Sequence, residues 1–187
     1  VRPFVLDPGL VYLDAPVSAD AERVYEYCQD PVFEQYLSTP WPYTRVHAAS
    51  FVDVFVSQGW STQKELTWAL RDAPGHPLLG VIGLRLAGDS LANLGFWLGA
   101  PHRGAGRMPR AVTAVAEWAF TDGGVHTLEW ECVVGNFASM AVARKCGFTY
   151  TGVSAADVPA RDGSRPDSWK AVLRPTDSRA VKPGWPA

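Results

Sequence analysis

Apolar and polar positions change period several times along the chain, and each change predicts a new element. Leu10 to Leu13 read as a short apolar strand, and Ser18 is placed to cap a helix with Asp20 and Glu22 in its first turn. Ala21, Val24, Tyr25 and Cys28 recur at helical spacing, and Pro31 is expected to limit that helix. The run LSTPWPYT, Leu37 to Thr44, cannot be helical through its two prolines and predicts a rigid loop. Thr44 should cap a second helix, with Ala48, Phe51, Val52, Phe55 and Val56 on one face and an end near Gly59. Leu66, Trp68 and Leu70 alternate with Thr67, Ala69 and Arg71, which predicts a half-buried strand. Strands over Leu78 to Leu86 and Leu91 to Leu98 follow, with turns at Asp72 to Pro77 and at Gly88, Asp89 and Ser90, so an antiparallel meander is expected.

Beyond the meander the pattern becomes helical again. From about Arg107 to Phe120, Ala111, Val112, Val115, Ala116 and Ala119 share one face, and Pro109 sits in the first turn, where a missing N–H costs little. His126 to Val134 reads as a strand, Asn136 to Gly147 as a short capped helix, and Phe148 to Val153 and Trp169 to Leu173 as the last strands, joined by the polar loop Ala160 to Asp167. Strand and helix alternate here, which predicts parallel pairing. The final run RPTDSRAVKPGWPA is too rich in proline and polar residues for a regular element.

The turn into the long helix carries the first chemical signal. Gly104, Ala105 and Gly106 leave the backbone almost bare where a helix opens, so unpaired N–H groups and the positive helix end can face one anion. Arg103, Arg107 and Arg110 surround it, and no carboxylate falls between Gly95 and Glu117, so a pyrophosphate-like ligand is indicated. Arginines on a solvated helix face would look similar.

Composition narrows the class. With 187 residues and 47% apolar content the chain is long enough for one sizeable core, and no run approaches the ~18 apolar residues of a membrane span. A net charge of −2 with interspersed signs gives no pull towards nucleic acid or membrane. Cys28, Cys132 and Cys146 are odd in number and lack CxxC spacing, and no signal segment is evident, which together favour a cytoplasmic protein. His47, His76, His102 and His126 show no metal-ligand spacing, so no metal is expected.

The order of elements and two separated motifs resemble the Gcn5-related N-acetyltransferases (GNAT). Arg103-Gly104-Ala105-Gly106-Arg107-Met108 is similar to that family's pyrophosphate turn, with Met108 where Gly or Ala is usual. Asn136 and Ser139, followed by Gly147-Phe148, resemble the ribosomal-protein N-terminal acetyltransferase subgroup (RimJ/RimL type), as does the loop Pro40 to Thr44. The resemblance implies a single α/β (α+β) domain over residues 1–173 with a mixed sheet of some seven strands and helices on both faces, then an extended or disordered tail over 174–187.

It also implies direct acetyl transfer from acetyl-CoA, the co-substrate, to a peptide N-terminus or a small-molecule amine, with homodimerisation left open. The implied cofactor contacts are Phe96, Trp97, Leu98, Arg103, Gly104, Ala105, Gly106, Arg107, Met108 and Asn136. By the same analogy Ser139 protonates the leaving thiolate, and Glu131 is the base for the amine, with Asp157 next in line. Trp41 and Tyr43, together with the loop Ala160 to Asp167, are expected to wall the acceptor groove. The alternative is a non-catalytic acyl-CoA-binding module of the same fold.

Overall fold

A computed structural model describes residues 2–88 and 90–187, so Asp89 of the predicted turn lies outside the described residues. One mixed sheet of seven strands runs in the order β1-β2-β3-β4-β5-β7-β6. Its strands are β1 (Tyr12–Asp14), β2 (Glu65–Arg71), β3 (Gly80–Leu86), β4 (Leu91–Leu98), β5 (Thr127–Val133), β6 (Thr149–Ala155) and β7 (Asp167–Leu173). The predicted meander of β2, β3 and β4 is present and antiparallel throughout.

Helices cover both faces. Those on the first are α1 (Ala21–Tyr27), α2 (Pro31–Tyr36) and α3 (Arg45–Ser50); a π-helical stretch, Phe51–Val56, fuses α3 to α4 (Ser57–Thr62), whose Trp60 packs with Leu66 and Trp68 on the other face. On the second lie α5 (Arg107–Thr121) and α6 (Phe137–Lys145). Side chains on a strand alternate between faces, so Leu66, Trp68 and Leu70 pack with α5 while Ala69 and Val81 pack with α1 to α3.

Several expectations need correction. Ser18 opens a 3-10 turn, Ser18–Asp20, and spends its hydroxyl on Asp53 at 2.5 Å instead of capping α1. Pro31 begins a helix where it was expected to end one: α1 stops at Tyr27, and Asp30 caps α2 by accepting from the Val32 N–H at 3.0 Å, with Pro31 in the first turn. Thr44 caps α3 as predicted, accepting from the His47 N–H. The helical run passes Gly59 and ends at Thr62, where Gln63 turns left-handed at φ 56°. Phe55 points out of that helix, 42% exposed.

Strand β2 is buried on both faces beyond its first residue, because helices cover each side. Arg71 is only 4% exposed and is tied to Asp14 and Asp20. Parallel pairing appears between β4 and β5, yet β7 inserts between β5 and β6 and pairs antiparallel with both. Residues 174–187 form no helix or strand and lie against the sheet: Trp185 rests on Trp130 and Tyr150 with ring centroids at 5.9 and 5.4 Å. Gly147 is required there twice over. Its φ is 81°, and a Cβ would come within 2.6 Å of the Arg179 Cα.

Candidate active site

Two adjacent strands part company in the middle of the sheet. β4 and β5 pair only at Leu91, Ala92 and Asn93 against Thr127, Leu128 and Glu129, and beyond that point they diverge. The rest of β4, Leu94 to Leu98, pairs with β3 on one side and presents its other edge to the gap. Such an edge leaves main-chain donors and acceptors available to an extended ligand.

At the end of β4 the chain enters the glycine turn. Gly104 and Gly106 have φ of 83° and 76°, and nothing lies within 4 Å of a side chain placed on either. Gly106 caps α5, so the N–H groups of Arg107 and Met108 open the helix without intrahelical acceptors. The Met108 side chain turns inward and is 4% exposed, which leaves its N–H at the helix mouth. The arginines are less free than their sequence suggests. Arg103 bonds the Leu98 carbonyl at 3.0 Å and pairs with Asp30 at 2.9 Å, and Arg107 pairs with Asp72 at 3.0 Å. Both carboxylates come from segments remote in sequence, so the local run without acids gave no sign of them. His102 meets the Tyr27 hydroxyl at 2.7 Å, and its pKa is lowered by burial and by Arg107.

A cavity of about 300 Å³ follows the gap from this turn to α6. Every predicted cofactor residue except Ala105 lines it, together with Ser139. Asn136 accepts from the Ser139 N–H at 3.2 Å and so caps α6. The Trp130 indole donates to the Ser139 hydroxyl oxygen at 3.2 Å. A hydroxyl that already accepts one bond keeps its own proton to donate. Ser139 therefore has the local chemistry of a proton donor at the cavity wall.

A second cavity of about 510 Å³ adjoins the first at Leu37. Its floor is the sheet face carrying Glu65, Gly83 and Gly95, and its walls are residues 34–38 at the end of α2 and the 156–168 segment. The loop Ala160 to Asp167 lines it through Ala160, Arg161, Asp162, Ser164 and Pro166. Trp41 and Tyr43 do not: Tyr43 is 6% exposed and packs with Cys28 and Phe33 in the core under the helices, with Trp41 against that core.

Glu131 faces this second cavity, but its oxygens are occupied. The Asp157 N–H reaches them at 3.2 and 3.0 Å, the Val158 N–H donates to Oε1 at 3.2 Å, and Lys170 Nζ is 3.1 Å from Oε2. A carboxylate offers about four lone-pair sites, and all are used here. Asp157 is itself bound to Lys170 at 2.6 Å. Burial lowers the Lys170 pKa, but the bonds to Asp157 and Glu131 outweigh it and leave the ammonium with a raised value. This group fastens the 156–166 loop to β5 and β7. Glu131 is left with no uncommitted oxygen for an incoming amine, so the role expected of it as base lacks geometric support, whereas Asp157 gives only Oδ2 to the pair and is 61% exposed.

Burial pushes the Cys132 thiol up to about 12, with the Ser139 hydroxyl opposing it. Cys28 is likewise pushed up to about 12 and Cys146 to about 11, again by burial. At pH 8 thiols with these values are almost wholly protonated, and the thiolate is the nucleophile. Native protein should therefore give no fast-reacting thiol with Ellman's reagent at pH 8, whereas all three cysteines should react in guanidinium. A rapid native equivalent would mean that one thiol is activated. Among the described residues no group of three or more His, Cys, Asp or Glu is placed to hold a metal ion, and no helix is long and apolar enough to cross a membrane.

The splayed strands and the glycine turn define a class of acyl-transfer fold. The chain belongs to the GNAT acetyltransferase family, whose domain model, described as Acetyltransferase (GNAT) domain, matches residues 11–149. A relative in Bacillus subtilis strain 168, named Probable N-acetyltransferase YjcK, is 31% identical over 88 residues, which are 47% of this chain and 49% of that protein. The chain thus spans about half the length of the curated relative it matches. Among solved structures, the Salmonella typhimurium acetyl transferase that modifies the N-terminal serine of ribosomal protein L7/L12 superposes with a TM-score of 0.78 at 17% identity, covering 91% of this chain and 99% of that one. The microcin C7 self-immunity acetyltransferase MccE, in complex with acetyl-CoA and AMP, superposes with a TM-score of 0.75 at 22% identity over 89% and 93% of the two chains.

Proposed function

We propose that this chain is an acetyl-CoA-dependent N-acetyltransferase that moves the acetyl group directly to a primary amine, either a peptide N-terminus or a small molecule. The observation that carries the reading is the meeting of the two cavities beside the β4 edge. One is lined by the open helix mouth and Ser139, and the other is roomy and bordered by carboxylates. A CoA pyrophosphate fits the N–H groups at the start of α5, and the pantetheine arm fits the free edge of Leu94 to Leu98. In this reading the thioester lies between Ser139, which lines the first cavity, and Cys132, which lines the second. Residues 1–173 would carry the activity, with 174–187 as an extended arm. The relatives named above, one of which modifies a protein N-terminus, support an amine acceptor.

In this scheme the neutral amine attacks the thioester carbonyl and the C–S bond breaks. The Ser139 hydroxyl supplies a proton to the departing sulfur and is refilled by the proton that the attacking nitrogen loses as the amide forms. Cys132, held protonated, takes no covalent part. The test is a screen of CoA release from acetyl-CoA against free-amine peptides, polyamines and amino-sugar antibiotics, followed by mass localisation of the acetyl group. Ser139→Ala should lower kcat about tenfold with the KM for acetyl-CoA little changed, since a CoA thiol of pKa ~8.5 leaves tolerably without help. Binding of CoA without turnover of any amine would overturn the assignment.

A further inference from the structure

The C-terminal arm reaches Ser139 through one intervening ring. Lys182 Nζ donates to the Thr149 hydroxyl at 2.7 Å and lies 3.5 Å from Asp177, and the Arg179 guanidinium sits 5.4 Å from the centre of the Phe120 ring. Arg179 also donates to the carbonyls of Arg174 and Asp177 at 3.1 and 2.9 Å. These contacts fasten the arm to the end of α5 and the start of β6, and beyond them Trp185 settles against Trp130 of β5 and Tyr150 of β6. The Trp185 indole nitrogen is buried and has no hydrogen-bond partner among the described residues. An unpaired buried N–H is a cost, so it is ring contact that keeps Trp185 in place.

Trp130 is 2% exposed and lines neither cavity, whereas Ser139 lines the first. The Trp130 indole gives its N–H to the Ser139 oxygen at 3.2 Å. The neighbouring Cys132 thiol directs its own hydrogen to the Asn136 carbonyl at 3.7 Å and does not compete for that oxygen. A serine hydroxyl rotates to suit its partners, so an N–H on one lone pair turns the O–H away from the ring. A hydrogen bond to an oxygen that gains negative charge also strengthens. The indole therefore aims the Ser139 proton and steadies the oxygen as that proton leaves.

We propose that Trp130 is a positioning residue for Ser139 and that Trp185 braces it, so that the C-terminal arm completes the active site from behind. This deepens the proton-donor role given to Ser139 and rests on it. In the step itself the Ser139 O–H bond breaks as an S–H bond forms on CoA, the attacking nitrogen refills the oxygen, and the indole keeps its hydrogen throughout. Without the indole N–H the hydroxyl turns freely, and its oxygen lacks a donor when it carries most charge. Without Trp185 the Trp130 ring loses the surface it rests on, and its bond to Ser139 loosens.

The experiment measures kcat and the KM for acetyl-CoA on the full chain, with the amine that turns over best in the screen. Trp130→Phe removes the donor and keeps a ring; kcat should fall about fivefold, the worth of one hydrogen bond, with the KM for acetyl-CoA within about twofold of wild type. In a Ser139→Ala background the same change should cost less than about twofold, because the hydroxyl it serves is gone. Trp185→Ala should follow the same pattern in both backgrounds, and Trp185→Phe, which restores a ring against Trp130, should recover most of the loss. Tryptophans that only support the fold would lower kcat equally with and without Ser139, and that result overturns the proposal. So does an undiminished kcat in Trp130→Phe when Ser139→Ala is impaired. Wild-type kcat in Ser139→Ala would instead strike the proton-donor reading, and this inference with it. Nitrogen-15 spectra of the indole groups give a reading independent of turnover. The resonance missing from Trp130→Phe should move upfield in its proton shift, as a hydrogen bond is lost, in both Ser139→Ala and Trp185→Ala. A resonance that stays downfield in either variant overturns the link from the arm to Ser139.

Discussion

Arg71→Met is expected to lower the unfolding free energy by about 3–5 kcal/mol, as when one member of a buried ionic group is removed. The guanidinium donates to Asp14 at 2.8 Å, to both oxygens of Asp20 at 2.8 and 2.7 Å, and to the His76 carbonyl at 3.0 Å. Asp20 is 6% exposed, and its other contact is the Val17 N–H at 2.9 Å. Methionine would leave its carboxylate buried without a counter-charge. Urea unfolding should show a lower midpoint at unchanged slope. The triple variant Arg71→Met, Asp14→Asn, Asp20→Asn should recover much of the loss, because the cost lies in the unpaired charges.

The pH dependence of Arg71→Met follows from Asp14. Its pKa is already raised in the native protein, because burial outweighs the pull of Arg71. A carboxyl with a raised folded value favours the folded state below its unfolded pKa of ~3.9, and that contribution is lost as pH rises through the folded value. Removing Arg71 raises the folded value further. The gap between wild type and variant should therefore narrow in acid, and a gap that stays constant between pH 7 and pH 3 would show that packing was lost, not charge balance.

Gly106→Val should reduce CoA affinity at least tenfold, about 1.4 kcal/mol, measured by calorimetry. At φ 76° a β-branched residue is strained, by about 1–2 kcal/mol in the left-handed region. Nothing crowds a side chain there within the protein, so the folded state tolerates the volume. A ligand lying on the helix mouth would not. Folded Gly106→Val with wild-type CoA affinity would remove the phosphate from this turn.

How much of this was legible in the sequence depended on range. The turn and α5 were visible because glycine, proline and a helical face are local signals. Asn136 as a cap was visible for the same reason. The Asp30-Pro31 pair is also a readable helix start, a capping side chain followed by proline in the first turn, but Pro31 reads equally well as the stop of the helix before it. The insertion of β7 between β5 and β6 left no local mark, since both orders use the same alternating strands. Asp30 and Asp72, which neutralise two of the turn's arginines, sit far away in sequence. Glu131 suggests a base only through its position by resemblance, and it is the fold that brings Val158 and Lys170 onto it from remote segments. Gly83 and Gly95 did carry a signal, since glycine breaking an apolar strand asks for a reason.

The parting of β4 from β5 also bears on how the ligand-free sheet responds to force and to exchange. With ladder bonds across that seam limited to the stretch Leu91 to Asn93, β1-β2-β3-β4 and β5-β7-β6 behave as two plates sharing a short hinge. Amide deuteration at the gap-facing edge of Leu94 to Leu98 should be fast beside its neighbours on β3. A bound strand-like ligand would then act as the missing rung between the plates, and slowed deuteration should spread from β4 into β5, the far bank of the gap.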